Sequence, residues 1–254
     1  MKKAGPLAAA LAALFVAIAT WLGFDLDGLT TPPSAPPATT ASTAPPAATP
    51  AKPAKPNARP VPAGDFDYYV LSLSWSPSYC ETEATERDRL QCGARPFGFI
   101  VHGLWPQNER GYPEDCPTDN PRVPDALIDE MLDIMPSRGL IGHEWRSHGA
   151  CTGLSQEDYF AAVRTAWERV TIPPRFQQPE AKTVLSPRDV IGEFLRANPE
   201  LRPDAMAVTC DGNRLDEVRI CMSRDFAFQP CGPQAARSQC RRDRVDIPAP
   251  EGSR

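Results

Sequence analysis

All eight cysteines of this 254-residue chain fall between Cys80 and Cys240, and no two of them form a close CxxC pair. An even count without metal-type spacing points to disulfides, provided that the chain reaches an oxidising compartment. The N-terminus supplies that condition. Met1-Lys2-Lys3 precedes an apolar run from about Ala4 to Phe24, which reads as a secretory signal peptide or an uncleaved membrane anchor. Ala17-Ile18-Ala19 offers a small-x-small cleavage site, whereas the continuation through Trp21, Leu22 and Phe24 is long enough to span a bilayer. Basic residues before the run, with Asp25 and Asp27 after it, place the rest of the chain outside the cytoplasm. A periplasmic or secreted protein is expected, either freed by cleavage or anchored by its N-terminal segment.

The chain divides into three parts: residues 1–24, a Pro/Ala/Thr-rich linker over 25–64, and a domain over 65–254. From Thr31 to Gly64, 11 of 34 residues are proline, and Ala, Thr and Ser fill most of the rest. Such a stretch has almost nothing to bury and is expected to be extended and disordered, spacing the domain from a membrane or a cleavage site. The domain carries 22 Lys and Arg against 30 Asp and Glu, a formal net charge of −8 with His neutral. Without a long basic run it is not a general polyanion binder, and any contact with nucleic acid has to be local or favoured at acidic pH.

Within the domain, Asp67 to Trp75 alternates, with Tyr69, Leu71, Leu73 and Trp75 on one face, and predicts a strand. Phe97 to Val101 predicts a second strand that delivers the chain to His102. Helical spacing over Pro124 to Met135, capped starts at Ser155 and Ser186, and apolar faces through Phe160 and Val163 and through Val190 and Phe194 predict three helices. Strands are expected over Ala205–Cys210, Arg214–Met222 and Asp225–Gln229, with a turn at Asp211-Gly212-Asn213. Helices in the middle and strands at both ends imply an α+β fold: a central antiparallel sheet with helices packed on it, stapled by disulfides.

The chain has three histidines, His102, His143 and His148, and two of them lie in HEWRSHGAC, residues 143–151. A zinc site of the HExxH type needs histidines at i and i+4. Here they are five apart, about 140° around a helix, while Glu144 and His148 take the i, i+4 spacing. Zinc is therefore disfavoured and a carboxylate–histidine acid–base pair favoured. Trp145 reads as core. Two or three histidines and a glutamate, with no nucleophilic Ser or Cys motif, suit cleavage of RNA by its own 2′-hydroxyl. That substrate brings its nucleophile and needs only a base, an acid and a group to hold the phosphate.

FIVHGLWPQ (99–107) and HEWRSHGAC resemble the two active-site segments of the ribonuclease T-two family of secreted and periplasmic endoribonucleases. The opening strand with Trp75, Pro77 and Cys80 and the Cys-rich C-terminal sheet fit the same family. The resemblance implies His102 as general acid on the 5′-leaving oxygen, His148 as general base, His143 on the phosphate, and Glu144 polarising the phosphate or ordering the histidines. It implies single-stranded RNA as substrate, a 2′,3′-cyclic phosphate passing on to a 3′-phosphate, low base specificity, and no metal or organic cofactor. It also implies the disulfides Cys80–Cys92, Cys116–Cys151, Cys210–Cys240 and Cys221–Cys231. Trp105 and Tyr112 are candidate base-stacking walls, with core packing as the alternative for each, and a monomer is the default state. One position departs from the family pattern, Ser147, where a lysine is usual; serine brings a hydrogen bond without charge to the substrate. A weakened or silent RNA- or protein-binding relative is the competing reading, and a metallohydrolase a third.

Overall fold

Alternation in YYVLSLSW builds the strand from which the rest of the sheet grows. In the computed structural model, which describes residues 63–84, 88–93, 97–177 and 179–250, β1 (Tyr68–Trp75) is that strand. Tyr69, Leu71, Leu73 and Trp75 are buried in the main core, and the Trp75 indole Nε1 donates to the Pro248 carbonyl at 3.0 Å. The intervening Val70, Ser72 and Ser74 fall on the opposite face. That second face carries a small separate cluster of Tyr68, Val70, Cys221 and Ala235, with Trp105 packed against it.

After β1 come α1 (Ser76–Thr82), α2 (Arg89–Cys92) and β2 (Phe99–Gln107). The helical middle comprises α3 (Asp125–Met131), α4 (Arg138–Ser147), a 3₁₀ turn over Gly149–Thr152, α5 (Gln156–Glu168) and α6 (Pro174–Gln177). Then follow β3 (Thr183–Leu185), α7 (Pro187–Ala197), β4 (Met206–Asp211), β5 (Arg214–Met222), α8 (Pro233–Arg237) and β6 (Val245–Ile247). The strand order is β2-β1-β5-β6-β3, with β4 also on β5. Every pairing is antiparallel except β5 with β6, which meet in parallel at Arg214 and Asp246, so the sheet is mixed at that one point.

The helix starts follow their capping residues. The Ser155 side chain accepts from the Asp158 amide, and Ser186 with Asp189 forms a full capping box over Pro187. Val163, Phe160, Val190 and Phe194 are buried as their spacing requires. Three boundaries differ from the sequence reading. α3 stops at Met131, and turns carry the chain on to Met135, where the Ile134 carbonyl accepts from the Val101 amide of β2. Residues 225–229 contribute a single bridge, Met222 with Phe228, because Phe226 takes a positive φ that no continuous strand tolerates. β2 runs through HGLWPQ, so His102 lies inside a strand and not after one.

Four disulfides join Cys80 to Cys92, Cys116 to Cys151, Cys210 to Cys240 and Cys221 to Cys231, the pairs that the resemblance implies. No helix among the described residues is long and apolar enough to cross a membrane. The signal or anchor segment over 1–24 and nearly all of the linker over 25–64 lie outside the described residues.

Candidate active site

The spacing of HGLW is explained by a β-bulge. Along the β1–β2 ladder Ser72 pairs with Gly103 and Leu73 with Val101, which leaves His102 as the extra residue. In a regular strand His102 and Trp105, three apart, would face opposite ways. The bulge inserts one residue into the count, so Val101 and Leu104 both stay in the core while His102 and Trp105 emerge together. Their ring centroids are 5.3 Å apart.

On the same face β5 contributes Glu217 and Arg219, two residues apart and therefore on one side of the strand. Ser72 of β1 lies between Gly103 on β2 and Arg219 on β5, and Ser74 pairs with Glu217. Small residues in the middle strand leave room for His102 to reach across it. His102 Nδ1 hydrogen-bonds Glu217 Oε1, and Arg219 grips the other oxygen through Nε (2.8 Å) and Nη2 (2.6 Å). The Arg219 guanidinium also lies 5.1 Å from the Trp105 ring centre.

α4 supplies the second half of the site. Ser137 caps it by accepting from the Leu140 amide, and the His148 amide closes its last turn on the Glu144 carbonyl at 3.0 Å. The Glu144 side chain, 1% exposed, crosses to β2: Oε2 accepts from Trp105 Nε1 at 2.7 Å, and Oε1 lies 3.7 Å from His102 Nε2. The close approach requires Gly103, where a Cβ would overlap the Glu144 carboxylate and Trp105 Nε1. The i, i+4 spacing pairs Glu144 with His148, whereas the Glu144 carboxylate instead turns to the first segment, against His102 and Trp105. His148 also approaches the Trp105 ring, 5.4 Å between centroids. His143 is exposed on α4.

These placements set the charges. Burial works against a charged His102, but the Glu217 hydrogen bond and the charges of Glu217 and Glu144 outweigh it, and its pKa rises to about 8; Arg219 opposes the rise. Burial would raise Glu217, yet His102 and Arg219 together bring it down to about 2. For Glu144 burial dominates and pushes it up to about 7, against the His102 charge and the Trp105 hydrogen bond. Desolvation and the positive charges of Arg146 and His102 hold His143 below its ordinary value.

His102, Glu144, His148 and Trp105 are thus brought together, with His143 beside them on α4. Tyr112 and Trp105 line a cavity of about 220 Å³ shared with Gln107, Glu114, His148 and Arg219, so both candidate base walls border the site. Ser147 does not border it. Only 6% exposed, it donates from Oγ to Asp115 Oδ1 at 3.0 Å, and its carbonyl accepts from the Asp115 amide at 2.9 Å. It is a clamp on the Asp115 loop, which the Cys116–Cys151 disulfide reinforces, and the expectation that it contacts substrate is corrected accordingly. Trp145 is core, as read, with Nε1 donating to the Asn120 carbonyl. Among the described residues no set of three His, Cys, Asp or Glu side chains is placed to hold a metal ion. Glu217 and Arg219 were not singled out from sequence. Their signal was an E-x-R alternation in a late strand, which acquires meaning only through the register with β1 and β2.

A model of the Ribonuclease T2 family matches residues 66–231. "Ribonuclease" from Aeromonas hydrophila is 50% identical over 97 residues, which are 38% of this chain and 43% of that one. "Probable ribonuclease" from Haemophilus influenzae is 30% identical over 178 residues, 65% of this chain and 61% of that one. The chain thus spans under two thirds of the length of these two relatives. "Ribonuclease I" from Escherichia coli is 30% identical over 211 residues, 66% of this chain and 79% of that one. Among solved structures, an RNase-related protein from Calystegia sepium superposes with a TM-score of 0.58 at 18% identity, covering 73% of this chain and 98% of that one. At that identity the likeness carries the fold alone. The match over 66–231 spans both histidine segments and strands β1 to β5, and the chain belongs to the Ribonuclease T2 family.

Proposed function

We propose that the domain is a metal-independent endoribonuclease that cleaves single-stranded RNA by 2′-hydroxyl transesterification. The observation that carries this reading is the His102–Glu217 pair beside Glu144. With Nδ1 committed to Glu217, His102 keeps Nε2 for substrate, and a pKa of about 8 leaves it protonated at neutral pH. A histidine that starts protonated is a general acid. His148, which borders the same Trp105 ring, takes the 2′-hydroxyl proton. The 2′-oxygen then bonds to phosphorus while the bond to the 5′-oxygen breaks, and that oxygen leaves with the His102 proton. The products are a 2′,3′-cyclic phosphate and a 5′-hydroxyl. Hydrolysis of the cycle, with the proton roles exchanged, gives a 3′-phosphate. His143 holds the phosphate from α4, and Glu144 polarises it or orders the histidines.

Trp105 and Tyr112 offer flat faces to a base, and stacking tolerates every base, which supports low base specificity. The segment over 1–24 exports the domain to the periplasm or medium, free or tethered, where its four disulfides persist. The linker over 25–64 spaces it from the membrane or the cleavage site. The test is incubation of the exported protein with RNA in EDTA. Cyclic-phosphate ends, lost in His102→Ala and His148→Ala, support the mechanism. Loss of activity with chelator, or RNA binding without cleavage, would overturn it.

A further inference from the structure

We propose that Arg219 of β5 is a catalytic residue, the cation that meets the scissile phosphate, held in place by Glu217. The inference rests on the transesterification reading above. As the 2′-oxygen adds to phosphorus, negative charge builds on the non-bridging oxygens. It does so beside two buried carboxylates, Glu144 and Glu217, whose field opposes it. A site of this kind needs a fixed positive group. Ser147 cannot be that group, because its hydroxyl is turned into the protein toward Asp115. Arg146 is directed elsewhere, into a shallow surface depression that it shares with Arg122 and Arg138.

Arg219 satisfies each requirement. Among the described residues lining the cavity beside His148, it is the one with a permanent positive charge. Its side chain is 26% exposed, so it is neither sealed in the core nor free in solvent. Glu217 occupies Nε and one edge of Nη2, and the Trp105 face supports the plane at 5.1 Å. Of the five N–H donors of a guanidinium, those on Nη1 and the second on Nη2 remain for a phosphate oxygen. The strand register sets it opposite Ser72, which in turn pairs with Gly103, next to His102. No bulky side chain of β1 stands between the cation and the acid. Glu217, bonded to both His102 and Arg219, is a positioning residue for the two groups at once.

The competing role for Arg219 is plain charge balance for Glu217, and the two roles separate by experiment. Plateau kcat, KM and the alkaline pH limb are measured for Arg219→Ala and Arg219→Lys in the exported protein, with His102→Ala alongside. A phosphate ligand predicts that Arg219→Ala lowers plateau kcat about 10²–10³-fold, that Arg219→Lys loses less, and that added guanidinium ion restores at least about tenfold. Charge balance alone predicts a plateau kcat within about threefold of the parent and an alkaline limb moved upward, because Arg219 opposes the charge on His102; that result overturns the proposal. If His102→Ala retains the parent rate, the underlying reaction reading fails. If His102→Ala is dead and Arg219→Ala is not, the assignment of Arg219 alone fails. Thermal unfolding of each variant identifies a misfolded Arg219→Ala, in which case Arg219→Lys and its response to guanidinium decide.

Discussion

Replacing Glu217 by glutamine removes one negative charge from under His102 and leaves nearly the same shape. The amide oxygen can still accept from Nδ1, so ring orientation is preserved while the electrostatic support is lost. The rise of His102 from 6.5 to about 8 corresponds to about 2 kcal/mol favouring the imidazolium, at 1.36 kcal/mol per pH unit. The ring is 36% exposed, so solvent screening reduces the usable part to about 1 kcal/mol. In Glu217→Gln burial and Arg219 continue to act against the charge, and Glu144 alone supports it. The pKa is expected to fall by at least about one unit, toward or below 6.5. At pH 7 the protonated fraction then drops from about nine tenths to about a half or less, and the alkaline limb of kcat/KM moves acidward by the same interval. The assay is RNA cleavage in EDTA from about pH 4 to pH 10, paired with an NMR titration of the His102 ring. An alkaline limb within about 0.3 pH unit of the parent, with the ring titrating unchanged, would refute the claim that Glu217 keeps His102 protonated.

Three further outcomes follow from the same geometry. Gly103→Ala drives a methyl into the Glu144 carboxylate and Trp105 Nε1, and is expected to cost at least about 10²-fold in kcat by misplacing the acid, read by single-turnover cleavage. Glu144→Gln is expected to slow cleavage yet stabilise the fold above neutrality. A buried carboxyl raised to about 7 from an unfolded value of 4.5 favours the native state while protonated and costs up to about 3 kcal/mol once pH rises through 7. The variant should therefore unfold several degrees higher than the parent at about pH 8 and show little difference near pH 4, by thermal denaturation. Replacing Cys116 and Cys151 together by alanine opens a loop of 35 residues, for which chain entropy predicts a loss of about 4 kcal/mol, measured by denaturant unfolding. Activity should fall as well, since the same bridge helps to hold Asp115 against α4.

Much of the fold was legible because it rests on local patterns. YYVLSLSW declared its buried face by alternation, and the Ser155 and Ser186 caps marked their helices, since these depend on residues within a turn of one another. The strand expected over 225–229 failed because composition cannot report the positive φ at Phe226 that breaks it. The histidines were legible through their rarity and their segments. Their partners were not: His102 lies 115 residues from Glu217, and the bond between them depends on a bulge at His102 and on the β1–β5 register. Ser147 shows the converse. Its neighbours in sequence suggested a substrate contact, and only the Asp115 loop, 32 residues away, reveals a clamp.

The two buried glutamates make the same point in electrostatic terms. Glu144 and Glu217 are the same side chain, 1% and 4% exposed, and both approach the His102 ring. Burial pushes each upward, and what separates them is the number of positive groups in direct contact. Glu217 is bonded to His102 on one oxygen and Arg219 on the other, and falls to about 2. Glu144 has a neutral indole donor on one oxygen and His102 only at 3.7 Å from the other, and rises to about 7. At neutral pH one carboxylate is therefore a fixed negative charge that holds His102 protonated, while the other stands near its midpoint and can take or release a proton. Divergent values for like groups in one site are the arrangement that acid–base chemistry requires. Here the divergence lies between Glu144 of the histidine-rich segment and Glu217 of β5, which the strand pairing brings to the same ring.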